Sequence, residues 1–185
     1  MSTAHTPLPG FHSPAASFDQ PFDMLHACHE RVQRSLHLLQ RIVAHVDAHG
    51  HDAQSRSACA DVLRYFDLAA PLHHEDEERH VFPPLRQHAD ARVREAVATL
   101  QAEHIQMHAQ WQRLRPVLLA WRDNPAAAPV SAGEKALVDG FCALYAQHIP
   151  LEDTLAYPAA QALLDAPAQQ GMGAEMAARR TAGQT

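Results

Sequence analysis

Residues 59–84, CADVLRYFDLAAPLHHEDEERHVFPP, carry the pattern on which the fold turns. Cys59, Leu63, Phe66 and Ala70 recur at steps of three and four, the period of a helix that buries one face. The same stripe then meets His73, Glu77 and Val81, so an imidazole and a carboxylate stand where leucine belongs, and Pro83 and Pro84 stop the helix. A buried carboxylate without a counter-charge is costly, so the stripe asks for a cation.

Three other segments repeat the substitution. The first helix, about residues 19–49, runs Leu25, His29, Val32, Leu36, Leu39, Val43, Val46 and stops at Gly50. Another, 91–123, follows Asp90 as N-cap and runs Val93, Val97, Leu100, His104, Met107, Trp111, Leu114, Leu118, with His108 four residues after His104. The last opens on Ser131 and Glu134 in capping-box spacing and runs Leu137, Phe141, Leu144, His148, Leu151, Leu155, with Glu152 four residues after His148. Nothing alternates with period two, so strands are not expected. Short connections make neighbouring helices antiparallel, which predicts an all-α, up-down-up-down four-helix bundle over residues 19–166, between a tail at 1–18 and a disordered tail at 167–185. In that topology all seven polar residues fall toward one end, leaving Leu36, Val43, Leu63, Phe66, Leu118 and Phe141 as an apolar core at the other.

Histidine is abundant enough that single motifs mean little. Random placement of 15 His among 185 residues already yields about one His-xxx-His and one His-xxx-Glu pair. His26 with Glu30, His74 with Glu78 and His45 with His49 are such pairs. The selected set differs in phase and height: each pair begins on the inward stripe, and four helices agree on the level. One buried histidine is commonly satisfied by a backbone carbonyl; seven polar side chains at one level require metal. Two assignments stay open, because His73 with Glu77 competes with His74 with Glu78 one residue around the helix, and Asp153 stands beside Glu152 as a reserve. The stripe from Phe66 and Ala70 favours the first. Pro150 should kink the last helix or introduce a bulge near Glu152, and Pro71 should loosen the second helix near His73.

The rest of the composition excludes other classes. A formal charge of −6 without a basic cluster speaks against nucleic acid. No run is long and apolar enough for a membrane helix, and MSTAHTPLPG is not a secretory signal, so a cytoplasmic home is expected. Cys28, Cys59 and Cys142 have no CxxC spacing and read as small buried hydrophobes. Imidazole and carboxylate donors suit iron, with manganese and zinc not excluded, and are wrong for calcium or magnesium.

The segments ACHERV around His29, HHEDEERHVFPPL from His73, EHIQMH from Glu103 and HIPLED from His148 resemble the hemerythrin-like, His-His-Glu cation-binding family over residues 20–160. The resemblance implies an antiparallel four-helix bundle around a non-haem, oxo- or hydroxo-bridged pair of iron ions. Carried over, His104, His108 and His148 would serve one iron, His29 and His73 the other, and Glu77 and Glu152 would bridge. The second iron would keep an open position for dioxygen. Two departures stand out: the last helix offers carboxylates at plus four and plus five from His148, and Tyr145 places a phenol three residues before it. Five imidazoles to two carboxylates, with Val32, Leu36, Leu144 and Ile149 around them, point to reversible dioxygen binding for carriage, storage or sensing. Tyr145 and the Glu152–Asp153 pair motivate an alternative, an enzyme consuming peroxide or nitric oxide. A third reading is iron handling or sensing, with occupancy read through bundle stability.

Overall fold

The computed structural model describes residues 17–124 and 126–182, and these are helical, without strands. Residues 1–16 of the expected N-terminal tail lie outside the described part, as do 183–185. The first helix is Pro21–His49, ended by Gly50 at φ 77, a left-handed conformation that glycine adopts without a Cβ penalty. The second runs continuously over 53–85, the third is Ala91–Asp123, the fourth covers 132–163 and a fifth is Ala166–Ala182. The expected caps are present. Asp90 Oδ1 accepts from the Arg92 backbone N–H at 2.9 Å, and Ser131 with Glu134 closes a reciprocal capping box. Asp52 with Ser55 forms another at the head of the second helix.

Two helices are locally widened. The second has π-turns at Tyr65–Ala69 and Glu77–Val81, and the fourth has one at Glu152–Ala156. In each, the closing N–H reaches back five residues: Ala70 to Tyr65, Phe82 to Glu77, Tyr157 to Glu152. Each of those donors directly precedes a proline, Pro71, Pro83 and Pro158. Proline has no N–H, and its ring collides with the carbonyl four residues back; a wider turn relieves the crowding. The bulge expected near Pro150 thus lies just after it, with Pro158 at its far edge.

The buried apolar residues separate into two clusters. One gathers Leu39, Val62, Leu114, Leu118 and Phe141; the other gathers Leu25, Phe82, Leu100, Tyr157 and Met176. Along the first and third helices the chain passes from the second cluster to the first, and along the second and fourth it passes back. The histidines and glutamates occupy the crossing level on every one of these helices. The polar layer is therefore interior, between two apolar masses, and not at one end of a single core.

The expectation of a disordered tail at 167–185 is corrected over its described residues, 167–182. Asp165 accepts from the Ala168 backbone N–H at 2.9 Å and starts a helix that lies against the first helix, with Met172 and Met176 buried one turn apart. A Cβ on Gly173 would stand 1.8 Å from the Phe18 carbonyl oxygen, so only glycine permits this approach. Arg179 and Arg180 both bind the carboxylate of Asp76, which has no exposed surface; Arg180 does so at 2.6 Å. The tail looked disordered because its apolar stripe is only two methionines wide and its anchor is ionic. No helix among the described residues is long and apolar enough to cross a membrane.

Candidate metal centre

His29, His73, His104 and His148 are buried, and Glu77 and Glu152 are 0% exposed. All four Nε2 atoms turn toward the two carboxylates. Glu77 Oε1 lies 3.4 Å from His73 and 3.9 Å from His29, whereas its Oε2 lies 3.4 Å from His104. Glu152 repeats the division, with Oε2 at 3.0 Å from His29 and Oε1 at 3.1 Å from His148 and 3.8 Å from His104. Each carboxylate thus offers one oxygen to the His29–His73 pair and the other toward the His104–His148 pair. Such an arrangement of nitrogen and oxygen donors suits binding of metal cations.

The rear nitrogens explain the adjacent acids. His29 Nδ1–H donates to Asp153 at 2.8 Å, His104 Nδ1–H to Glu78 at 3.1 Å and His148 Nδ1–H to Glu103 at 2.8 Å. Such a bond fixes the tautomer, aims the Nε2 lone pair inward and raises its basicity. The open choices of the sequence therefore have a physical division of labour: the acid at plus four faces the centre, and the acid at plus five turns outward to hold a histidine of another helix. His73 is the exception, since its Nδ1 is buried without a partner.

Six of the seven candidate ligands are brought together; His108 is not. Met107 and Trp111 take the inward face beyond His104, which leaves His108 exposed. Its place beside His104 and His148 is taken by His74. The His74 and His104 rings are stacked, 4.0 Å between centroids and 15° from parallel. Lone pairs lie in the ring plane, and two stacked planes do not meet at one nearby point. His74 therefore backs His104 in this arrangement and does not share an ion with it. Tyr145 is a core residue against Phe66 and Phe141.

Tyr157 is the residue the sequence reading missed. Its hydroxyl donates to Glu77 Oε1 and lies 3.0 Å from His29 Nε2, while its ring stacks on His29 with 5.2 Å between centroids. Its only sequence signal is position: Tyr157 closes the wide turn that Glu152 opens. Burial, then the nearby Glu77 and Glu152, push its hydroxyl well above the usual tyrosine range.

The electrostatics point the same way. Burial and the adjacent Glu152 drive the Glu77 carboxyl well above its ordinary range. Burial acts in that direction on Glu152 too, but the imidazoles of His104, His148 and His29 outweigh it and hold Glu152 well below. His73 is pushed far down by burial and by its histidine neighbours. Protons thus divide unevenly among groups that cannot all be charged without a counter-ion. His73 Nδ1, Glu77 Oε2, His104 Nε2 and both Glu152 oxygens are buried without hydrogen-bond partners. Buried polar atoms are rarely left so, and four of these five face the centre, where divalent cations would satisfy them. The donor set is nitrogen and oxygen; Cys28, Cys59 and Cys142 are free and stand outside it.

Residues 20–160 match the Hemerythrin HHE cation binding domain. A protein of Haemophilus influenzae described as uncharacterized is 31% identical over 165 residues, covering 89% of this chain and 92% of its own. The buried histidine and glutamate layer already suggests metal binding, and the match over most of its length shows that this chain belongs to the hemerythrin HHE cation-binding family.

Proposed function

We propose that the chain is a non-haem di-iron protein that binds dioxygen reversibly, for carriage, storage or sensing, within an antiparallel four-helix arrangement and in the cytoplasm. The observation that carries the reading is the pair of carboxylates shared between two pairs of buried imidazoles. His29 and His73 would hold one ion, His104 and His148 the other, and Glu77 and Glu152 both; manganese or zinc would fit the same donors. When bound, iron supplies redox chemistry and an acceptor for a small ligand. The protein residues do the rest. Phe66, Met107, Trp111 and Tyr145, with His74 and His108, line a cavity of about 60 Å³ beside the layer. That space is of the size of a ligand of two or three heavy atoms. Asp153, Glu78 and Glu103 hold three imidazoles in aim. Admitting air to the anaerobic ferrous protein should develop a visible absorption band that disappears under vacuum. A spectrum that never changes, or one that changes irreversibly, sinks dioxygen binding.

A second reading, consumption of peroxide or nitric oxide, is favoured by one observation, the Tyr157 hydroxyl on Glu77 and His29. A phenol there is placed to donate a hydrogen bond or a proton to a small ligand beside those donors. Sustained peroxide turnover that falls at least tenfold in Y157F at unchanged metal content would select this reading. Equal turnover in both proteins would remove it.

A further inference from the structure

We infer that the two metal positions are unequal: the one between His104 and His148 retains its ion, the one between His29 and His73 exchanges it, and Glu78 and Glu103 make the difference. This rests on the reading that the layer holds two divalent ions. The argument is in the rear nitrogens. At the first position both imidazoles have a carboxylate behind them, Glu78 behind His104 and Glu103 behind His148. The two acids come from different helices, and His74 stacks on His104 and blocks its rotation. Both rings therefore meet an incoming ion with their tautomer and aim already set.

The second position is less prepared. Asp153 backs His29, but the same oxygen, Oδ1, also accepts from His26 at 2.9 Å, whereas Glu78 receives His104 and Gln101 on separate oxygens. His73 has nothing behind it: its Nδ1 is buried and unbonded. A ring without a rear acceptor is a poorer donor and must fix its tautomer when the ion arrives. The Tyr157 hydroxyl also engages His29 Nε2 and Glu77 Oε1, two donors of this position, and an entering ion has to displace that contact. Loss of one such rear partner typically lowers metal affinity about 10- to 100-fold. The imbalance between the two positions is of that size, because the bridging glutamates contribute one oxygen to each side.

The test is release of iron. Protein loaded anaerobically with two equivalents of ferrous iron is mixed with an excess of a ferrous chelator, and the coloured chelate is followed in time. The expected course has two phases of one equivalent each, about 10- to 100-fold apart in rate. E103Q should accelerate the slow phase alone, and D153N the fast phase alone. Both substitutions are near-isosteric at half-buried positions, so general unfolding, which would speed both phases together, is separable. Removal of His26 in H26A, which leaves Asp153 wholly to His29, should slow the fast phase. A single phase releasing both equivalents, or acceleration of the fast phase by E103Q, overturns the inference while leaving the di-iron reading intact. Failure to take up any iron overturns both, and the loading stoichiometry reveals it before release is measured.

Discussion

The two apolar clusters on either side of the polar layer are built on different plans. The first, around Leu39, Val62, Leu114 and Phe141, is built by the four long helices at helical spacing, with Val130 added from the connection before the fourth. The second, around Leu25, Phe82, Leu100 and Tyr157, needs Met172 and Met176 from the fifth helix to complete it. That helix is fastened by arginines to a buried aspartate adjacent in sequence to Glu77. One side is thus secured by packing, and the other by packing plus an ion pair reaching across about a hundred residues of chain. The comparison separates what stabilises the bundle from what encloses the site.

The difference can be tested in order of size. Leu114→Ala, at a fully buried position in the first cluster, should destabilise the whole protein by about 2–5 kcal/mol in urea unfolding and leave the fifth helix docked. The double substitution R179A/R180A strands the Asp76 charge and should cost about 3 kcal/mol, with early protease cleavage near residue 165 as its distinguishing mark. If both variants lose the fifth helix at the same urea concentration as the bundle, the two sides are one unit and the comparison fails. Gly173→Ala forces Phe18 and the fifth helix apart and should cost about 1–3 kcal/mol, again read by proteolysis of the C-terminal segment.

The remaining prediction concerns the layer itself. Burial opposes a charge on His29, but the carboxylates of Asp153 and Glu152 overcome it and raise the imidazole from 6.5 to about 9. A raised folded-state value contributes stability that is complete below pH 6.5 and lost as the pH rises through about 9. Metal-free protein should therefore lose thermal stability over that interval, and D153N should flatten the loss. Metal-loaded protein, in which His29 is held neutral, should show no such slope.

Much of this organisation was legible from side-chain spacing. Wherever the helix is regular, phase alone identified the inward residue, as with His29, His104 and His148. Five of the six residues brought together were readable because each sits on a stripe with apolar neighbours, and Glu152 because it stands four residues after His148. His108 was misplaced because its plus-four spacing from His104 was read as a ligand pair, whereas Met107 and Trp111, already on the stripe, take the inward face there. His74 was set aside as a chance pair because the stripe of the second helix was read without its widened turns. The prolines held the missing information, for Pro71, Pro83 and Pro158 each stand six residues after the first residue of a wide turn. Tyr157 escaped for the same reason, and the fifth helix because its stripe is too narrow to register. Its start signal, Asp165 followed by Ala166 and Pro167, was present and outweighed by composition.

The spacing from each bridging glutamate to its proline acts as a ruler. One residue removed between Glu77 and Pro83, or between Glu152 and Pro158, would shorten the rung and twist the upstream helix by about 100° against the downstream one. The carboxylate would then swing away from both imidazole pairs, although no residue named as a ligand had changed. Insertions in the connections between helices carry no such penalty. In this molecule, counting along two short spacers governs the chemistry as firmly as the identity of the side chains they hold apart.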